Sequence, residues 1–379
     1  MQLLVNKIES KEVVWLQKTN KYLILEPFFM RVINEMVKGL NKSDLLDFCI
    51  HKSSFSINKS KLIVDACWNI KQDNELETLQ QQYQQLISAE ELPTELEYIS
   101  YTYNYNSKHL RVRYSNVALA ERIHPKFKHL CNDFSSSVFS GLICVSEFRG
   151  FFYLRVNNTI IGKWLEHDFH FLLGKFAMGL LNLYNNKTDI DWLAVLHASA
   201  VCKDENALVF LGESGSGKST ATALLSLNGF TLLADDFVPI DSKSSKVASF
   251  PAAVSVKESL LYEFDAYFPE LKKSTLLTKD KQTKFKYLYP NSTKTQESKF
   301  VNTKALVFIK YTKNGDNKLL KIGQLTALQK LIPDSWISPE RENVSLFLDW
   351  MAKVPCYELH YSDNKYLIDI SEKLMNNEH

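Results

Sequence analysis

The sequence predicts an α/β protein with a mixed sheet over most of its length, preceded by a small α+β domain of winged-helix-like pattern. Three observations predict it. Two hydrophobic runs of buried-strand type, WLAVLHASAVC and ALVFLGE, lead into a glycine-rich turn and a helix-forming stretch, SGSGKSTATALLSL. Upstream, segments such as LEYISYTYNY, HLRVRYS and GLICVSEF are rich in aromatic and β-branched residues, as antiparallel strands are. Residues 11–70 read as a strand pair followed by three short amphipathic helices.

Composition sets the outer limits. A chain of 379 residues has room for two or three domains and a full core. Its net charge of +2 gives no reason to expect a nucleic acid or an anionic membrane as partner. The six cysteines, Cys49, Cys67, Cys131, Cys144, Cys202 and Cys356, form no CxxC spacing, so buried reduced thiols are expected rather than zinc or a disulfide framework. MQLLVNKIESKE lacks the apolar run of a signal peptide, and the apolar stretch 169–184 is interrupted by Lys175 and too short for a bilayer. A cytoplasmic protein is expected.

Taken in order, residues 11–25 suggest two strands around a polar turn at 18–21. Pro27 opens a helix where its missing N–H is harmless, with Phe29, Val32, Ile33, Met36 and Val37 on one face and Gly39 as its stop. Ser43 and Asn58 are candidate caps for a second and a third helix. These elements define a first domain at 1–75. The polar, helix-prone stretch 76–95 reads as a linker, and 96–379 as the main domain. There, several strands precede a buried helix at 169–184, and the two hydrophobic runs follow. Beyond the glycine-rich turn come a strand-like VASFPAAVSV, a helical KESLLYEFDAYF and a polar segment, 277–300, expected to be a mobile loop. KALVFIKY resumes as a strand, 323–351 is largely helical, CYELHYS is a final strand and a helix closes the chain.

The chemistry lies in Gly212-Glu213-Ser214-Gly215-Ser216-Gly217-Lys218-Ser219, which fits G-x-x-x-x-G-K-[ST] at every specified position. Glycines let such a loop turn its N–H groups inward, and the helix that follows, through Thr220, offers its positive end to phosphates. Lys218 reaches the β/γ-phosphates and the Ser219 hydroxyl coordinates Mg²⁺. ATP and Mg²⁺ are the implied cofactors. Asn228-Gly229 ends the helix, FTLLA forms a short strand, and Asp235-Asp236 sit at its carboxyl end, where open α/β sheets keep their ligand crevice. One carboxylate there can join the Mg²⁺ shell and the other can accept the proton of an attacking hydroxyl. His197, at the end of the strand before the loop strand, is either a core histidine or a group that holds a neighbouring carboxylate.

LHASAV, FLGESGSGKST and LLADDFVPI, in this order and at these intervals, resemble the catalytic domain of HPr kinase/phosphorylase, whose core is similar to that of phosphoenolpyruvate carboxykinase. The resemblance spans roughly 95–375, with specific motifs between 197 and 257. It implies Asp235 as the proton-accepting acid with His197 as its companion, Asp236 and Ser219 on the metal, and Lys218 on the phosphates. One signature is missing: the arginine-glycine element of that family is replaced here by FPAAVSVKES, while FRG stands upstream at 148–150. HPr as substrate and phosphorylase activity are therefore not expected, and Lys257 is either a substitute cation or a solvated lysine. NKYLILEPFFMRVINEMVKG is similar to PqqD-like domains, which bind leader peptides. Together the two resemblances imply a kinase acting on a serine or threonine hydroxyl of a peptide or protein, such as a ribosomally made precursor peptide. A small-molecule (free amino acid) kinase and a nucleotide-responsive binding protein without transfer activity are the alternatives, and a homo-oligomer is compatible with each.

Overall fold

The structure, a computed structural model, describes residues 3–75, 97–131, 138–264, 267–278, 284–289 and 299–378. The expected linker at 76–95 lies outside them. The chain forms two compact units, Met1–Ala89 with Pro339–Lys353, and Glu90–Ser338 with Val354–His379.

In the smaller unit, β1 (Leu3–Ile8), β2 (Lys11–Leu16) and β3 (Lys21–Leu25) form an antiparallel sheet in that order. The sequence reading had only the last two; LLVNKI is a half-exposed edge strand without clean alternation, so it carries little signal. Three helices follow, α1 (Pro27–Val37), α2 (Lys42–Lys52) and α3 (Ile57–Glu75). Pro27 opens α1 as expected, but Val37 stays exposed. The caps fall earlier than expected: the Asn41 side chain accepts the Asp44 N–H at 3.0 Å, and Ser56 Oγ accepts the Lys59 N–H at 3.3 Å. Val14, Leu16, Ile33, Leu45, Cys49 and Val64 fill the core.

A helix from far along the chain, Arg341–Lys353, completes this unit. Arg341 donates to the Leu3 carbonyl at 3.0 Å, Asn6 donates to Asp349 at 2.9 Å, and buried Phe347 meets Tyr22 edge-on. The sequence reading placed this helix in the main domain, because its apolar face does not name the surface it covers.

Among the described residues, the larger unit contains three sheets. The first runs β4 (Ile99–Tyr105), β5 (Lys108–Tyr114), β6 (Gly141–Phe148), β7 (Phe151–Val156) and β8 (Thr159–Trp164). Between β5 and β6 lie helix α4 (Val117–Ile123) and a 3₁₀ turn, His124–Leu130, and helix α5 (Phe169–Asn185) packs against β6, β7 and β8.

The second sheet carries the predicted motifs. It contains β9 (Trp192–Leu196), β10 (Ser199–Lys203), β11 (Asn206–Leu211), β12 (Thr231–Ala234), β13 (Val238–Asp241) and β14 (Val247–Ala248). A third, small sheet uses β15 (Val254–Lys257), β16 (Leu277–Thr278) and β17 (Lys284–Leu288). The strand β17 falls within the expected mobile loop, whose residues 279–283 and 290–298 lie outside the described ones. The second sheet is completed by β18 (Phe300–Tyr311), β19 (Lys318–Ile322), β20 (Ser335–Ile337) and β21 (Cys356–Tyr361). Its order is β12-β10-β11-β18-β14-β13-β9-β20, with β21 on β18 and β19 on β21. The strand β20 interrupts the stretch expected to be largely helical.

The sheet is mixed, as expected. Strands β11, β18 and β21 are parallel, while β10 runs antiparallel between β11 and β12. Strand β12 is therefore parallel to β11 but not its neighbour. The order also shows that the sheet curls. Strands β9 and β10 stand five positions apart, which in a flat sheet is about 24 Å. Only His197 and Ala198 join them, and three Cα steps span at most about 11 Å.

Candidate active site

Two chain crossings between the halves of this curled sheet meet side by side. His197-Ala198 connects β9 to β10, and Asp235-Asp236-Phe237 connects β12 to β13. Registers on both sides hold them together: Leu196 pairs with Val238, and Ala200 pairs with Ala234. That is why residues almost forty positions apart share one site. Asp236 takes φ +63°, the left-handed conformation that turns the chain between the two strands.

The glycine-rich loop follows β11 and feeds helix α6 (Lys218–Leu227). Its residues Ser214, Gly215, Gly217, Lys218, Ser219 and Thr220 line a cleft of about 2100 Å³, together with His197, Asp236 and Lys257. Gly212 and Glu213 act through their carbonyls, which accept from Lys218 Nζ at 2.7 and 3.2 Å. Ser216 ties the loop down: its N–H donates to the Glu213 carbonyl and its carbonyl accepts the Tyr311 N–H at 2.9 Å. Burial pulls the Lys218 ammonium below its usual range, against the opposing pull of Asp236 and Asp235.

The two acids differ sharply in surroundings. Asp235 is fully buried and accepts from the hydroxyls of Ser199 and Ser219, the latter at 2.9 Å, and from the Ser255 N–H at 3.3 Å. Burial, reinforced by the Asp236 charge, pushes its carboxyl up to about 6. Asp236 lines the cleft and pairs with Lys126 Nζ at 3.1 Å. The Lys126 charge holds it below the usual carboxylate range. Burial, then Lys218, lowers the His197 imidazole, with Asp236 pulling the other way, so the ring is neutral at neutral pH.

Lys126 was not legible in the sequence. It comes from the 3₁₀ turn between β5 and β6, which is clamped from several sides. The Pro125 carbonyl accepts from Tyr289 Oη at 3.1 Å and the Lys126 carbonyl accepts the Ala253 N–H at 3.0 Å. His124 Nδ1 bonds Tyr103 Oη at 2.9 Å, and its ring stacks on Tyr101 at 3.7 Å. Burial works against the Lys126 charge, but Asp236, Tyr287 and Asp235 outweigh it. Ser199 and Ser255 were also missed, although both lie inside motifs quoted for other residues. Lys257 reaches the loop: its Nζ lies 3.2 Å from where a Cβ on Gly215 would stand. Arg149 belongs to the tight turn between β6 and β7, and its guanidinium lies over Phe148.

Among the described residues no two cysteines form a disulfide; five of the six are buried and Cys131 is half-buried. Among the described residues, no helix is long and apolar enough to cross a membrane.

No family model and no curated protein matches the chain. Among solved structures, the chain is similar to the Hpr(Ser) kinase/phosphatase from Coxiella burnetii, at 12% identity and a TM-score of 0.24. That match covers 48% of this chain and 88% of the other.

Proposed function

We propose that this chain is an ATP- and Mg²⁺-dependent kinase of the cytoplasm that transfers the γ-phosphoryl group to a serine or threonine hydroxyl of a peptide or protein. The observation that carries the reading is the division of the acids beside the phosphate loop: Asp235 bonded to Ser219, Asp236 open to the cleft. Mg²⁺ takes hard oxygen ligands and binds phosphates through one or two carboxylates. A carboxylate and a serine hydroxyl 2.9 Å apart suit that ion, so Ser219 and Asp235 would hold it. The reading thus reverses the roles the resemblance implied for the two aspartates. When bound, the ion neutralises charge on the phosphate oxygens.

The remaining work belongs to the chain's own side chains. Loop N–H groups and Lys218 orient the triphosphate, and Lys257 adds a second positive charge at the loop apex. Asp236, kept ionised by Lys126, accepts the proton of the incoming hydroxyl. As the new O–P bond forms, the bond from the γ-phosphorus to the β–γ bridging oxygen breaks, and ADP departs with that electron pair. His197 lines the same cleft as Asp236 and interacts with it electrostatically.

Size admits a large acceptor. Small-molecule pockets usually enclose roughly 300–1,000 Å³, and the cleft here is about twice the upper value at about 2100 Å³. It has room for a nucleotide and a peptide segment together. The smaller unit, with a core of its own, is the part we assign to gripping that substrate in the manner of PqqD-like domains. The test uses the full chain with ATP, Mg²⁺ and a mixture of serine- and threonine-containing peptides, read by mass spectrometry. Wild-type protein should add the mass of one phosphoryl group, and Asp236→Asn should not. Phosphorylation of free serine with no modified peptide would move the assignment to a small-molecule kinase.

A further inference from the structure

The sheet order has a second side. The acids lie at the end of β12, two strands from the loop strand in one direction, across β10. In the other direction stand β18 and then β21, both parallel to β11, so all three end at the same edge. The last residues of those two strands are Tyr311 and Tyr361, and both line the cleft beside the loop. A triphosphate whose γ end points to the acids therefore directs its nucleoside toward the two tyrosines.

Their geometry suits that occupant. Tyr311 keeps 43% of its surface exposed, and its N–H is fixed to the Ser216 carbonyl, so the ring stands at a set height beside the cradle. Tyr361 supports it edge-on at 5.3 Å between centroids. The Tyr361 hydroxyl is buried, has no hydrogen-bond partner among the described residues, and lies 2.9 Å from where a Cβ on Gly217 would stand. An unpaired buried hydroxyl is costly unless something completes it, and a ribose or α-phosphate oxygen at the loop would do so.

We infer that Tyr311 is the platform on which the nucleobase stacks, with the Tyr361 hydroxyl donating to the ribose–phosphate. The inference rests on the nucleotide reading above. Stacking accepts any base face, so this platform gives affinity for a nucleoside with little choice of base.

Calorimetry on the full chain separates the two claims, with Mg·ATP and Mg·tripolyphosphate as probes. Stacking is worth about 1–3 kcal/mol per base, so Tyr311→Ala should weaken Mg·ATP about 5- to 150-fold. It should leave Mg·tripolyphosphate within about two-fold, because the cradle is untouched, and Tyr311→Phe should keep ATP affinity because the ring remains. Unchanged ATP binding in Tyr311→Ala overturns the platform while the nucleotide site stands. Equal loss of both ligands also overturns it, because the side chain would then support the loop rather than the base. A wild-type chain that binds neither probe overturns the nucleotide reading and this inference together.

Discussion

Gly212→Ala sets one methyl group against a fixed carbonyl. Gly212 adopts φ +143°, and an added Cβ would stand 2.7 Å from Ser216 Oγ and 2.8 Å from the Ile309 carbonyl oxygen. A serine hydroxyl can rotate away; the carbonyl belongs to β18 and cannot move without bending the sheet. A sparsely populated backbone conformation costs about 1–3 kcal/mol, and overpacking a filled site costs typically 1–3 kcal/mol more. The sum is about 2–6 kcal/mol. Gly229 supplies the control, because it also has positive φ, +87°, but no atom lies within 4 Å of its added Cβ. Gly229→Ala should therefore cost only the backbone share, about 1–2 kcal/mol. Urea denaturation of both variants measures the difference, and calorimetry with Mg·ATP shows whether the loop survives. The expected result is a clearly larger loss for Gly212→Ala, with nucleotide affinity impaired only in that variant. Equal costs, or a Gly212→Ala protein with normal affinity, would refute the close approach of loop and strand.

Other outcomes follow from the same structure. Phe347 is fully buried in the smaller unit, so Phe347→Ala should destabilise that unit by about 3–5 kcal/mol, seen as an earlier denaturation transition. An unchanged transition would mean that the helix Arg341–Lys353 packs elsewhere. His124 has its imidazole lowered to about 4, mainly by burial, against an ordinary value near 6.5. Between those values the unfolded chain takes up the proton first, so the contribution is intact above about pH 6.5 and is lost as pH falls toward 4. The loss is of order 1 kcal/mol once partial exposure is allowed for. His124→Phe should flatten that part of the stability profile; an unaltered slope would show that the imidazole is not kept neutral.

What the sequence revealed depended on how local each signal was. The strand, glycine-rich loop and helix around Lys218 were legible because they are contiguous in sequence. Asp235, Asp236 and His197 were legible as candidates because each ends a short hydrophobic run. Their allocation was not legible, since it depends on which carboxylate turns toward Ser219 and which toward Lys126. Nothing near HPKFKHL marks Lys126 as the partner of an acid 110 positions away. That pairing exists only because a clamped turn of one sheet meets the crossing of another. The same limit applied to strand order: an antiparallel β10 between two parallel strands leaves no mark in WLAVLHASAVC. The helix Arg341–Lys353 shows an apolar face, but only folding reveals that Tyr22 and Leu3 meet it.

The central claim is that Asp235 and Ser219 complete a metal site beside a nucleotide's phosphates while Asp236 is left for the acceptor. ATP affinity measured with and without Mg²⁺, in wild type, Asp235→Asn and Asp236→Asn, tests it most directly. The account predicts that Mg²⁺ strengthens binding in wild type and equally in Asp236→Asn, and that Asp235→Asn loses the gain. A metal-dependent gain retained by Asp235→Asn and lost by Asp236→Asn would contradict it.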